Sequence, residues 1–98
     1  MRLQGKVALV TGGGRGIGRA TALALSEEGA AVAVVARTRH EVESVAGDIR
    51  NRGGTAIALT ADIGSETSVD SMVDSVIQSL GPIDILVNNA AVGTTRSC

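Results

Sequence analysis

The chain predicts an α/β fold: a doubly wound parallel sheet with strand order 3-2-1-4. Three observations carry that expectation. Four short, nearly continuous apolar blocks recur along the sequence, amphipathic helical patterns separate them, and a glycine-rich turn, "TGGGRGIG", joins the first block to the first helix.

The first block, Val7 to Val10, is apolar at every position and closes on Thr11 and Gly12. Such a run fits a strand covered on both faces, because a half-exposed strand would alternate. "AAVAVVA", Ala30 to Ala36, has the same character, "TAIALTA", Thr55 to Ala61, is a weaker version, and "IDILVNN", Ile83 to Asn89, is the fourth. Between the first two blocks, Ile17, Ala20, Thr21 and Ala24 share a helical face of small side chains, and Gly29 follows as a C-terminal cap. The second helix opens with Thr38 and Glu41 at capping-box spacing. It carries Val42, Val45, Ala46 and Ile49 as its apolar stripe and stops at Gly53-Gly54. The third helix buries Val69, Met72, Val73, Val76, Ile77 and Leu80. Thr67 with Asp70, or Ser65 one turn earlier, can cap it, and Gly81-Pro82 ends it.

Crossovers of this length demand parallel strands and favour the right hand. The first two place two helices on one face. If strand four returns beside strand one, the third helix lies on the other face, and a topological switch point opens between those strands. Thr11–Gly18 and Asn88–Ala91 both fall at that switch point. Strand four has the composition of a doubly covered strand, yet only "VGTTRSC" follows it. Its unpaired edge predicts association, with further residues of a larger fold or with another copy of the chain.

Composition removes several function classes. Aromatic residues are absent, which argues against base-stacking RNA recognition and aromatic peptide grooves. The net charge of -1, with both signs interspersed, gives no basic stripe for nucleic acid. The single cysteine, Cys98, leaves no intramolecular disulfide and no zinc knuckle. No secretory leader is legible, and "VALV" and "AAVAVVA" are too short to cross a bilayer. A cytoplasmic protein that engages neither membrane nor nucleic acid is expected.

A strand running into glycines and then into a helix is a phosphate cradle. The helix start presents unpaired amide groups and partial positive charge. Gly12 suits the tight turn, Gly16 the close approach of phosphate, and Gly18 the packing of helix on strand. Their spacing is G-x-x-x-G-x-G. The Lys-Ser/Thr ending of nucleotide triphosphate loops is missing.

With "VALVTGGGRGIGRATALALSEEGA", Asp62-Ile63 and "IDILVNNA" in this order, the chain resembles the short-chain dehydrogenase/reductase family. Within it, the general likeness is to 3-oxoacyl-carrier-protein reductases and polyol or steroid dehydrogenases. The resemblance implies a Rossmann-type fold, of which residues 1–98 form the N-terminal part of a single NAD(P)-binding domain. It also implies hydride exchange between a nicotinamide cofactor and a small carbonyl or alcohol substrate, commonly in a homo-oligomer. By the same resemblance, Gly12, Gly16 and Gly18 form the pyrophosphate turn and Ile17 adds a backbone contact. Asp62 accepts from the adenine amino group and Ile63 packs beside the ring. Asn88, Ala90 and Ala91 line the ribose side, while Asn89 braces the central strands. Ala91 stands where the family usually has glycine, and Gly64 where it often has a Ser or Thr cap.

The end of strand two lacks the acidic residue that would grip two free ribose hydroxyls, reading Ala36, Arg37, Thr38. Arg37 is therefore expected at the 2′-phosphate of NADP (NADPH), with the Thr38 hydroxyl beside it; the resemblance implies Arg15, the basic residue before the middle glycine of the turn, on the other side of that phosphate, and NAD is the lesser cofactor. The family's serine, tyrosine and lysine would manage the reaction's proton. This chain has no tyrosine, and its lone lysine, Lys6, precedes the first strand. No catalytic residue and no metal site is assigned. The alternative is a truncated nucleotide-binding or protein-interaction module without turnover.

Overall fold

Strands and helices alternate along the whole described chain, which in the computed structural model comprises residues 2–12, 16–62 and 64–88. The elements are β1 (Val7–Thr11), α1 (Gly16–Glu27), β2 (Ala31–Ala36), α2 (Arg39–Asn51), β3 (Ala56–Thr60), α3 (Glu66–Leu80) and β4 (Ile85–Asn88). The sheet is ordered β3-β2-β1-β4, and every pairing is parallel. The expected doubly wound architecture is therefore the observed one.

The strands' apolar runs are explained by what covers them. Ala8, Val10, Val32 and Val34 point to one face, where Ala22 of α1 and the α2 stripe Val42, Val45, Ala46 and Ile49 meet them. Val7, Leu9, Ala33 and Val35 point to the other, against Met72 and Val76 of α3. The neighbours β1 and β2 thus have no solvent-facing side, which is why neither alternates. β4 does alternate in exposure, with Leu86 64% exposed on the α3 side. An apolar groove of about 160 Å³ lies there between Leu9, Val69, Met72, Val73 and Leu86.

Two helix faces depart from expectation. In α1 the buried residues are Gly18 and Ala22, with Leu25 packed partly behind them, whereas Ile17 is 77% exposed and Ala20 and Ala24 face solvent. The helix is rotated roughly a third of a turn from the face read in the sequence. Closeness explains the rotation. A helix lying against Ala8 and Val10 has room for glycine and alanine, and the bulkier Ile17, in its first turn, is left exposed. In α3 the expected stripe holds except at Ile77, which is 45% exposed.

The caps are equally specific. Ser65 is the N-cap of α3, its hydroxyl oxygen accepting from the Ser68 N–H, so neither Thr67 nor Gly64 serves. Thr38 is the N-cap of α2, but its side chain caps nothing. Only its carbonyl opens the helix, accepting from the Val42 N–H at 3.4 Å. Gly29 and Gly81 end α1 and α3 as expected, both at positive φ. An Arg19–Asp48 ion pair joins α1 to α2.

Candidate functional site

The C-terminal ends of β1 and β4 form the two lips of the switch point. Thr11 and Asn88 are register partners there. The buried Thr11 hydroxyl donates to Asn88 Oδ1 at 2.9 Å and also lies 3.4 Å from the Val87 carbonyl. Thr11 is the one buried polar residue among the described core positions. The sequence places Thr11 at the switch point but gives its side chain no role. The only signal was a hydroxyl ending an otherwise apolar run, whose meaning depends on which strand lies beside it. On the other side, the Gly12 N–H donates to the Val35 carbonyl at 2.7 Å, which holds the turn against β2. Asp84 secures the opposite end of the same strand pair. Its carboxylate accepts from the Val7 N–H and its own N–H donates to the Val7 carbonyl, each at 2.9 Å.

The chain leaves β1 through Gly12 at φ 70 and enters α1 at Gly16, φ 61. Both angles lie in the left-handed region that disfavours side chains. At Gly16 a Cβ would meet no atom of the described residues within 4 Å, so the space beside this backbone is open among them. The first amides of α1 have no partner within the helix, and its dipole makes them attractive to an anion. A pyrophosphate fits that combination of open backbone, amides without intrahelical partners and positive helix end. Gly18 is buried beneath, where α1 packs on the sheet.

Gly16→Ala separates the two reasons for glycine. The open space removes any clash, so stability should fall by only about 1–2 kcal/mol from the left-handed backbone. If a pyrophosphate is held at this helix start, the methyl group would crowd it, and dinucleotide affinity should drop at least about tenfold, or ~1.4 kcal/mol. Urea denaturation and calorimetric titration of the same preparation check both halves.

The ends of β2 and β3 supply a second part of the site. Arg37, Thr60, Ala61 and Asp62 line one open depression of about 300 Å³. Arg37 is exposed and makes no hydrogen bond or ion pair among the described residues. Arg39, two residues later, is engaged by Glu43 at 3.4 Å. The Thr38 hydroxyl, unused as a cap, lies at the start of α2 beside Arg37. Asp62 is exposed, and its Oδ1 accepts from the Gly64 N–H at 3.0 Å. Spacing alone does not bring Arg37 and Asp62 to one depression; adjacency of β2 and β3 does.

Gly12, Gly16, Ile17, Gly18, Arg37, Thr38, Asp62 and Asn88 therefore all stand at the C-terminal ends of the strands or the helix starts that follow them. Arg15, Ile63, Asn89, Ala90 and Ala91 lie outside the described residues. A larger hollow of about 430 Å³ opens at the opposite end of the sheet among Gln4, Lys6, Ser26, Gly54 and Thr55. It shares no residue with the crevice. No cluster of three metal-ligating side chains occurs among the described residues, and no helix there is long and apolar enough to cross a membrane.

Comparison with known proteins matches this geometry. The chain is 45% identical over 92 residues to versicolorin reductase stcU of Emericella nidulans, covering 93% of this chain and 35% of that protein. It is 42% identical over 93 residues to the short-chain dehydrogenase/reductase homolog YusS of Bacillus subtilis, covering 94% of this chain and 85% of YusS. Among solved structures, a metagenomic short-chain oxidoreductase in complex with NADP superposes with a TM-score of 0.90 at 38% identity, over 95% of this chain and 42% of that one. The chain thus spans about a third of the length of relatives such as the Emericella reductase, while YusS is of nearly its own extent. The short chain dehydrogenase family matches residues 6–98, and with this fold, this crevice and these relatives the chain belongs to that family.

Proposed function

We propose that this chain is the cofactor-binding part of an NADP-dependent oxidoreductase acting on a small carbonyl or alcohol substrate. The observation that carries the cofactor choice is Arg37, unpaired among the described residues and sharing a depression with Asp62 at the end of a strand that offers no carboxylate. When bound, the nicotinamide cofactor supplies the hydride chemistry. The chain's own residues bind and orient. The α1 start and the turn at Gly12 and Gly16 receive the pyrophosphate. Arg37 and the Thr38 hydroxyl, at the positive end of α2, receive the 2′-phosphate, and Arg15 joins them. Asp62 accepts from the adenine amino group, with Ile63 beside the ring. Asn88, held by Thr11, lines the ribose side with Ala90 and Ala91. Support comes from the solved relative that holds NADP and from the reductases among the matches. In the whole protein the reading extends to activities like those of 3-oxoacyl-carrier-protein reductases and steroid or polyol dehydrogenases, in a homo-oligomer, with the edge of β4 met by further residues of the fold or by another chain.

Calorimetric titration with NADPH and NADH at fixed salt tests the reading. NADPH should bind more tightly; equal affinities, or no binding of either, would count against it. Residues 1–98 alone are expected to give no cofactor-dependent turnover on a panel of alcohols and ketones. They contain no tyrosine, and Lys6 sits at the far end of β1 from the crevice. Turnover by a preparation of verified mass would show that another residue manages the proton.

A second reading has one specific observation in its favour. YusS, matched over 85% of its own length, is a relative of nearly this size. A short nucleotide-binding module without turnover is therefore the alternative. It shares the expected NADPH binding and differs in the absence of activity from the product of the whole reading frame.

A further inference from the structure

We propose that Ser68, in the first turn of α3, is a positioning residue that sets Asp62 for recognition of the adenine amino group. The proposal rests on the cofactor reading above and adds to it a residue outside the depression. Three hydrogen bonds close a ring. The Asp62 N–H donates to the Ser68 hydroxyl oxygen at 3.0 Å. The Ser68 N–H donates to the Ser65 hydroxyl oxygen at 3.3 Å. The Ser65 N–H donates back to the Asp62 carbonyl at 2.9 Å. Asp62 is thereby held through both its backbone groups, and the Gly64 N–H takes its Oδ1 at 3.0 Å. An incoming amino group meets a carboxylate already oriented on a backbone already fixed.

The arrangement differs from an ordinary capping box. There the third helical residue reaches back to the N–H of the N-cap. Here the N-cap Ser65 N–H is taken by Asp62, and the third residue, Ser68, reaches past it to the Asp62 N–H. A short hydroxyl at this position ties the exposed loop end to a helix that packs on the sheet through Met72 and Val76. Asp62 itself is exposed, so without the tie its ordering would fall on the binding step. Ser68 does not line the depression and acts only through Asp62.

The test uses NADPH and its hypoxanthine analogue, which carries a carbonyl in place of the adenine amino group. Both are titrated into the protein as encoded and into its Ser68→Ala and Ser68→Thr variants, with thermal melting of each. Wild type should favour NADPH. Ser68→Ala should lose about fivefold in NADPH affinity, the worth of about 1 kcal/mol for one net hydrogen bond, with little change for the analogue. Ser68→Thr, which keeps the hydroxyl, should restore the preference. A Ser68→Ala protein that retains the wild-type preference overturns the role of Ser68 while leaving the cofactor reading intact. A variant that unfolds, or that weakens both nucleotides equally, assigns the hydroxyl to stability and also overturns the proposal. Wild type that binds neither nucleotide overturns the cofactor reading, and this proposal with it.

Discussion

Arg37→Asp should reverse the cofactor preference, shifting the ratio of NADPH to NADH affinity by roughly 100-fold, two factors of ten at ~1.4 kcal/mol each. On the proposed cofactor reading, the first factor is the loss of a guanidinium–phosphate contact. Such charge-assisted bonds are strong when buried, but Arg37 is exposed, which keeps the contact near the low end of its range. The second is repulsion between the new carboxylate and the 2′-phosphate. The same carboxylate stands where an acidic residue grips free ribose hydroxyls, so NADH should be held or gained. Arg39 lies inside α2 and pairs with Glu43, so the expected shift is assigned to Arg37. The preference of the unaltered protein should also narrow as salt rises, since the contact is solvent-screened. Titration of both reduced cofactors at low and high salt measures all of this. An unchanged ratio in the variant would remove Arg37 from the site.

Ile49→Ala should cost about 2–5 kcal/mol of stability, the range for truncating a large aliphatic side chain in a packed core. Ile49 is among the largest fully buried side chains and closes the α2 stripe over the sheet. A loss of that size is a large share of the about 5–15 kcal/mol available to a typical domain. The denaturant midpoint should fall while the slope stays constant. Ile77→Ala is the internal control. It removes the same atoms from a position that is 45% exposed on α3, and should change stability by less than about 1 kcal/mol. Equal losses at the two positions would mean that the outer side of α3 is covered in solution by something else. The exposed groove at Leu86 and Val73, beside β4 at the end of the described sheet, is where such a cover would meet the chain.

How far these positions could be read beforehand differs by element. The α2 stripe was legible because valine and isoleucine recur at helical spacing among charged residues, so only one rotation of the helix buries them. The α1 face was not. Its residues are mostly small, and Ile17, Ala20, Thr21 and Ala24 make as plausible a stripe as Gly18, Ala22 and Leu25. Hydrophobicity hardly distinguishes the two, and the decision falls to the distance between helix and sheet.

The sequence by itself determined the strands, the helical crossovers between them, their parallel sense and the glycine turn, because these follow from local apolar patterning, chain chirality and the backbone freedom of glycine; that β4 returns beside β1 was settled by the packed sheet. Tertiary structure alone decided the partnerships. Thr11 meets Asn88 because β1 and β4 pair in one particular register. Arg37 shares a depression with Asp62 because β2 and β3 end side by side. Ser68 reaches the Asp62 N–H because Ser65, not Thr67, begins α3. Each is a hydrogen bond or shared surface of a few ångströms. Periodicity can say which face of an element turns inward, but only the packed register brings two polar groups within reach of one another.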